Sequence, residues 1–355
     1  MPQSTCLKVP KNQGEEALSI ANRLKLVNKE LDIQRDETYV YIPISVTPLA
    51  GDLKKIGGQL SHFELSTRVF GERKRPQLSM TELLKNEVPL YLLADLPHAV
   101  DFVGDIGIVE ISKELEPYKN VIGQALLKAN KNIRTVLAKA GAVTGTYRLR
   151  DYTFVAGERK TTTVHREYGC RFYVDVAKTY FSPRLSFEHS RVASLVKDGE
   201  KIVDMFSGVG PFAVMIAKTH PNVKVYAVDV NPDAVSYLER NVRVNRVDGR
   251  VFPILGDARQ IVNGKLIGIA DRVIMNLPEK AFEFVDIACR AIKSIGGIVH
   301  FYTFIKAPVS LEDATKSFTE AIKGQGRDVE AVLFSRFVRE TAPHEHQVVL
   351  DARIR

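Results

Sequence analysis

A chain of 355 residues, 45% hydrophobic and 26% charged, is too long for one compact core and too apolar to be disordered, so two or three folded domains are expected. Its net charge of +8 suits a nucleic acid or another anionic partner, and that charge is localised: Lys119 to Arg191 holds 14 basic and 5 acidic residues, leaving the remainder near neutrality. Three distant cysteines (Cys6, Cys170, Cys289) exclude a disulfide framework or zinc ribbon, no metal-ligand cluster is visible, and neither a membrane-length apolar run nor a signal-peptide core is present; a reduced, cytoplasmic, soluble protein is expected.

In chain order, Gly14 to Asn28 carries apolar residues on one helical face, and Thr38 to Val46 is β-rich, which predicts a small α+β domain over residues 1–70. The polar, basic GERKRPQ (Gly71 to Gln77) reads as a linker. A central α+β domain is expected over residues 78–190. Phe102 to Ile111 reads as a glycine-interrupted strand and Tyr118 to Ala140 as a basic helical region with Lys128, Lys131, Arg134 and Lys139. Gly145–Arg150, Thr161–Glu167 and Cys170–Val176 read as strands. From residue 191 to 355 strand and helix alternate: KIVDMF, PFAVMIAKT, VKVYAVDV, NPDAVSYLERNVRVN, VFPILGD, ADRVIMNLP, AFEFVDIACRAIKS, GIVHFYTFI and a helix over Leu311–Lys323. Such alternation predicts an α/β, doubly wound, mostly parallel sheet. Val329–Val338 and His346–Ala352 are expected to close it as an antiparallel hairpin.

The strongest local motif runs from Asp204 through Met205, Phe206, Ser207, Gly208, Val209, Gly210 and Pro211 to Ala213, between a predicted strand and a predicted helix. Gly208 and Gly210 permit a tight turn and close backbone approach to a ligand, and the GxGxxA spacing admits a dinucleotide. Asp229, 21 residues after Gly208, ends the next strand, where an acid binds ribose hydroxyls in both NAD and S-adenosylmethionine (AdoMet) enzymes. The later strands separate the two. Gly256-Asp257-Ala258 and Asn276-Leu277-Pro278 resemble the adenine-facing acid and the methyl-side turn of class I methyltransferases, and no hydride-transfer partner is apparent. AdoMet is therefore favoured over NAD. Glu279 stands where amine-methylating enzymes carry an aromatic residue after this turn. Cys289, 11 residues past Pro278 in a predicted helix, is badly placed for covalent C5 chemistry.

VGDIGIVEI, TVLAKAGAVTGTYRLR, ERKTTTVHREYGCRFYVDVAKTYFSPRLSFEHSR, DMFSGVGPF and MNLPEKAFEF together resemble the archaeal tRNA (guanine-N1)-methyltransferases that modify position 37. The likeness covers nearly the whole chain, and the HREYGCRF…YFSPRL…E stretch is its most diagnostic part. It implies a class I, Rossmann-like AdoMet domain behind a central basic domain and a small N-terminal tRNA-recognition domain, in a monomer with tRNA as partner. Glu188 matches the general base at guanine N1, Arg148 the group facing guanine O6, and Asn276 and Pro278 the border of the target base. Guanine N1–H is weakly acidic, so proton removal and a cation at O6 both favour methyl transfer. An Arg148–Glu188 structural ion pair, or two solvated surface residues, is the alternative for these two positions.

The same resemblance places Tyr180, His189, Asp204, Phe206, Ser207, Gly208, Val209, Gly210, Asp229, Val230, Asp257, Ala258 and Asn276 around AdoMet. His189 departs from the family, whose members often carry Arg there. Lys128, Lys131, Arg134 and Lys139 are candidates for a phosphate-facing stripe. Two other outcomes remain open from sequence: a bifunctional enzyme that also methylates a carbon of the tricyclic wyosine precursor, and a non-catalytic RNA-binding protein that keeps the AdoMet fold.

Overall fold

The computed structural model describes residues 2–72, 79–97, 99–142 and 144–355, and the elements below are those of the described residues. It resolves into two compact units, Met1–Leu78 and Ser79–Arg355. Most of the expected linker, Arg73 to Gln77, lies outside the described residues. No helix among the described residues is long and apolar enough to cross a membrane.

In the first unit, β1 (Gln3–Pro10), α1 (Gly14–Arg23), β2 (Gln34–Arg35), β3 (Tyr39–Pro43), α2 (Ala50–Gly57) and β4 (Glu64–Val69) form the predicted α+β fold. The antiparallel sheet runs β2-β3-β1-β4. Leu7, Val9, Ala17, Ile20, Ile42 and Ile56 make its core. Helix α1 stops earlier than Asn28 because Lys25 takes a left-handed backbone conformation, φ 56°.

The second unit begins with α3 (Met80–Leu84), β5 (Val100–Val103), β6 (Ile106–Val109), α4 (Lys119–Ala129), β7 (Thr135–Lys139) and β8 (Tyr152–Gly157). Its first sheet runs β5-β6-β7-β8, with β6 and β7 parallel across α4. Three expectations fail here. Phe102–Ile111 is two strands, folded back as an antiparallel hairpin at Gly104-Asp105. The helical region ends at Ala129, and polar Asn130-Lys131-Asn132 lead into β7, so Lys128, Lys131, Arg134 and Lys139 share no single helix face. Arg134 faces Glu158 at 3.8 Å and Lys139 faces Glu110 at 3.3 Å. Gly145–Arg150 is a turn closed by a Thr144–Leu149 bridge, while the strand lies beyond it in β8.

The remainder is β9 (Thr162–Glu167), β10 (Cys170–Asp175), α5 (Ser186–Leu195), β11 (Lys201–Asp204), α6 (Pro211–Thr219), β12 (Lys224–Asp229), α7 (Pro232–Asn245), β13 (Val251–Leu255), α8 (Ala258–Ile261), β14 (Arg272–Met275), α9 (Val285–Ala291), β15 (Gly297–Lys306), α10 (Leu311–Lys323), β16 (Val329–Ala342) and β17 (Glu345–Ile354). The main sheet runs β13-β12-β11-β14-β15-β17-β16, parallel through β15 and antiparallel beyond it. This is the expected doubly wound sheet with its terminal hairpin. Strand order reverses between β11 and β14, and ligands of such sheets bind at the carboxyl ends beside that reversal. The expected boundary at residue 190 falls inside α5, and Val103, Ile106 and Leu137 share one core with Phe212, Val225 and Leu238, so residues 79–355 form one unit.

Two asparagines of α7 fasten the β9–β10 hairpin to this sheet domain. Asn241 Oδ1 accepts from Tyr173 N at 2.7 Å, and its Nδ2 donates to Tyr173 O at 3.2 Å and to Val209 O at 2.9 Å. One turn later Asn245 Oδ1 accepts from Arg171 N at 2.9 Å, and its Nδ2 donates to Arg171 O at 2.7 Å. Both residues are buried. Side-chain amides thus take the place of a neighbouring strand along the free edge of β10. Asn241→Ala would strand three backbone groups and is expected to cost roughly 2–4 kcal/mol, read as a lower urea midpoint. A variant unfolding at the wild-type midpoint would refute this.

Candidate active site

The glycine loop is set by backbone bonds to the second strand. Ser207 donates N–H and Oγ–H to Val228 O at 2.9 and 3.1 Å, and Gly208 N–H donates to Asp229 Oδ2 at 2.6 Å. Gly208 has φ 54°, and an added Cβ would meet nothing closer than Tyr180 O at 3.5 Å, so its backbone faces open space. Gly210, at φ 86°, is different: a Cβ there would lie 2.2 Å from Leu238 Cδ1. It is required for α6 to pack against α7, and it does not border the cavity. Pro211 then opens α6 with its fixed φ.

A cavity of about 240 Å³ lies over this loop at the sheet's switch point. Tyr180, His189, Phe206, Ser207, Gly208, Asp229, Val230, Asp257, Ala258 and Asn276 line it, as does Arg148. Asp229 also accepts from Asn231 N at 2.9 Å, and burial pushes its carboxyl above the ordinary range. Asp257 Oδ1 caps α8, accepting from Arg259 N at 2.8 Å and Gln260 N at 3.2 Å. Phe206 meets Phe284 edge-on at 5.0 Å, giving one wall an aromatic face.

Three predicted cofactor residues are not in the lining. Val209 is fully buried in the hydrophobic core, Gly210 serves the helix packing, and Asp204 sits beneath the loop at the end of β11. Neither carboxylate oxygen of Asp204 makes a hydrogen bond of ordinary geometry, the nearby Phe206 N–H being a weakly placed donor. Burial lifts its pKa to about 8, with the Phe206 backbone lowering it slightly and Asp229 adding to the rise. Pro278 is also buried, receives the Thr303 hydroxyl at its carbonyl at 3.4 Å, and borders a neighbouring pocket instead.

Arg148 occupies the turn after β7 with φ 55°. Its guanidinium lies 4.5 Å from the Tyr180 ring, and Nη2 donates to Glu279 Oε1 at 3.2 Å. The expected alternative, an Arg148–Glu188 ion pair, is not formed. Glu279 is the residue that sequence reasoning treated only as a missing aromatic; its partner is 131 residues away, a separation no local pattern reveals. A second missed chain ties Asn276 to Tyr180. Gln347 Nε2 donates to Asn276 Oδ1 at 3.3 Å, Arg339 Nε donates to Gln347 Oε1 at 2.8 Å, and Arg339 also donates to Tyr180 Oη at 3.1 Å and Ser182 Oγ at 2.9 Å. Only the β16–β17 hairpin, which pairs Arg339 with Gln347, was foreshadowed in the sequence.

Glu188 and His189 diverge sharply although adjacent. Glu188 is buried and does not line the cavity, whereas Leu185 and His189 do. Its Oε2 accepts from Arg191 Nη2 at 2.8 Å and from the Tyr302 hydroxyl at 2.8 Å, while Oε1 has no hydrogen-bond partner. Arg191 in turn reaches Asp351 at 2.5 Å. Asp351 accepts from His300 Nδ1 at 2.6 Å, because His300 Nε2 faces Arg272, which can only donate, at 2.8 Å. Burial and Arg272 keep that imidazole below its ordinary pKa against the pull of Asp351.

His189 lines the cavity with its Nδ1 2.8 Å from Glu167 Oε2. Glu167 also meets His165 Nε2 at 3.3 Å, and His165 Nδ1 accepts from Gly104 N at 3.0 Å. Burial raises the Glu167 pKa, but the two imidazoles outweigh it and bring the carboxyl down to about 2. Cys289 is buried in α9, where burial raises its thiol to about 11, consistent with the expectation of no thiolate chemistry.

The raised Asp204 pKa has a stability consequence. Between its ordinary value near 4 and about 8, the unfolded chain loses this proton while the folded chain keeps it, so stability falls as pH rises through that window. Asp204→Asn should therefore raise the Tm more at pH 8 than at pH 5. Equal shifts at both pH values in thermal scans would contradict an uncharged Asp204.

Residues 163–331 match the TRM5/TYW2 methyltransferase domain, 80–161 the TYW2 N-terminal domain and 6–47 the tRNA methyltransferase 5 N-terminal domain. The chain is 36% identical over 348 residues to the tRNA (guanine(37)-N(1))-methyltransferase Trm5b of Pyrococcus abyssi, covering 98% of each chain. It is 35% identical over 260 residues to the tRNA 4-demethylwyosine(37)-methyltransferase Taw21 of Saccharolobus solfataricus, covering 73% of this chain and 95% of that one. Among solved structures, aTrm5 in complex with tRNALeu superposes with a TM-score of 0.72 at 32% identity, covering 98% and 99% of the two chains. With this likeness end to end, and with the glycine loop, Asp229 and Asn276 around one cavity, the chain belongs to the TRM5/TYW2 family of methyltransferases.

Proposed function

We propose that this protein transfers a methyl group from AdoMet to N1 of guanosine 37 in tRNA. Arg148 carries this reading: a guanidinium fixed between Glu279 and the Tyr180 ring stands in the wall of the cavity that the glycine loop opens. The full-length likeness to Trm5b favours guanine N1 methylation alone over a bifunctional enzyme that also methylates a carbon of the wyosine precursor, since the Taw21 relative matches 73% of this chain. Family membership and the intact cavity likewise disfavour a dehydrogenase or a non-catalytic RNA-binding protein.

The chain's residues fit AdoMet. The open backbone at Gly208, the acid Asp229 at the strand end, and the Asp257–Ala258 turn beside the Phe206–Phe284 pair offer places for the chain, ribose and adenine of the cofactor. AdoMet supplies an electrophilic methyl group on a sulfonium sulfur. The protein's task is to strip N1 of its proton and to stabilise the charge that reaches O6. Arg148 suits the second role because Glu279 and Tyr180 fix its plane before substrate arrives, while its buried Nε has no partner. Asn276 accepts from Gln347 through Oδ1, which leaves its Nδ2 donors for the cavity.

Glu188 is the proposed proton acceptor. Its Oε1 makes no hydrogen bond and lies 3.6 Å from Arg336 Nε, so reaching N1 would require the side chain to leave Arg191, Tyr302 and Arg336 and turn toward the cavity that His189 lines. Labelled AdoMet and tRNA transcripts carrying guanosine or adenosine at position 37 test the reaction: label should enter only the guanosine transcript. Equal labelling of both, or none, overturns the proposal. Glu188→Gln should abolish turnover with AdoMet affinity unchanged. If His189 takes the proton instead, Glu188→Gln keeps turnover and His189→Gln loses it. Arg148→Lys, which keeps charge but loses the planar fork, should lower kcat/KM by about 10²-fold or more.

A further inference from the structure

Along the β9–β10 hairpin lies an open groove of about 850 Å³. Arg134, Lys160, Arg166 and Arg240 line it with the carboxylate of Asp105, and Glu158 beside the groove meets Lys160 at 2.8 Å and Arg134 at 3.8 Å. Asp105 is engaged by Lys160 at 2.7 Å and by the Thr163 hydroxyl at 2.6 Å; burial raises its pKa, but these partners outweigh it and keep the carboxyl ionised. His165, also in the lining, is an acceptor at Nδ1 and is committed to Glu167 through Nε2, so it offers the groove no further donor. The cations therefore exceed the acids they face.

Aromatic surface accompanies the charge. The Arg240 guanidinium lies 3.5 Å from the Tyr173 ring centre, in face-to-face contact range, and Tyr237 lies one turn before Arg240 on α7. Arg166 and Arg240 are solvent-exposed. Cations around an open trough, with a guanidinium over a tyrosine ring, match the chemistry of a nucleic-acid strand: phosphates for the cations and aromatic surface for a base. A small anionic metabolite would need an enclosed pocket, and this groove has none of the walls of the cofactor cavity. The two sites are close neighbours. His165 of the groove meets Phe181 of the cavity wall edge-on at 5.1 Å, and both His165 and the cavity residue His189 bind Glu167.

We propose that this groove binds the sugar-phosphate backbone of the tRNA substrate at nucleotides other than the one being methylated. The assignment rests on the tRNA reading above and differs from the stripe expected in the sequence: Lys128, Lys131 and Lys139 do not line the groove, and only Arg134 is shared.

The test is the charge-reversal pair Arg166→Glu and Arg240→Glu, with the milder Arg166→Gln/Arg240→Gln as a second variant. Both residues are exposed, and AdoMet affinity checks that the cavity is intact. The double reversal should raise KM for full-length tRNA about ten-fold or more with kcat within about two-fold, and flatten the dependence of log(kcat/KM) on log salt by roughly one unit per cation removed. The glutamine pair should flatten the salt slope similarly with a smaller KM change. tRNA binding without turnover is measured alongside by filter retention. Variants with wild-type KM, retention and salt slope overturn the groove. A wild-type chain that retains tRNA but methylates none of it overturns the proposed reaction, and leaves the groove to be judged on retention alone.

Discussion

Asn241 and Asn245 hold the most consequential contacts in the second unit. A β-hairpin outside the main sheet has a free edge, and burying that edge against a helix would normally leave backbone donors and acceptors unmatched. Two amides at i and i+4 match alternate residues of β10, and Asn241 adds a bond to Val209 in the glycine loop. The strand partnered in this way carries β9 with it, and β9 brings Glu167 to His189. Cavity floor and cavity wall are thereby registered against one helix.

Charges in the interior are organised in two separate sets with different chemistry. One runs from Arg272 through His300, Asp351 and Arg191 to Glu188, alternating donor and acceptor so that each buried ion finds a counterpart. The other is the compact His165–Glu167–His189 triplet. Chains of this kind contribute little net stability compared with apolar packing, but removing one member leaves its neighbour charged and unsolvated. Their value lies in fixing side-chain orientation next to the cavity. Asp204 stands outside both sets, a buried acid with no ion-pair partner that stays protonated below about pH 8.

The parallel sheet was legible because its signals are local. Apolar runs alternate with amphipathic helices, turns carry Gly, Pro or Asn, and α10 was placed to the residue by a pattern that Ser310 and Asp313 complete as a capping box. The central segment was less readable. Phe102–Ile111 keeps strand composition on both sides of Gly104-Asp105, so nothing in the pattern marks the reversal. In Tyr118–Ala140 the basic residues continue past Ala129 although the helix does not. Candidate site residues were legible as a set through the family motifs, yet which of them face the cavity was not: Val209 and Gly208 are neighbours with opposite roles, as are Glu188 and His189. Glu279, Arg339 and Gln347 escaped because the cavity residues they hold, Arg148, Tyr180 and Asn276, are distant in sequence.

The left-handed conformation of Arg148 bears on how this loop can change. Glycine would occupy that backbone region about 1 kcal/mol more comfortably than arginine. The guanidinium between Tyr180 and Glu279 therefore sits on a backbone that folding alone would not choose. Selection for thermal robustness and selection for activity pull this position in opposite directions. A library screened only for heat tolerance should enrich glycine at 148 and so collect well-folded proteins that have lost their reactive wall.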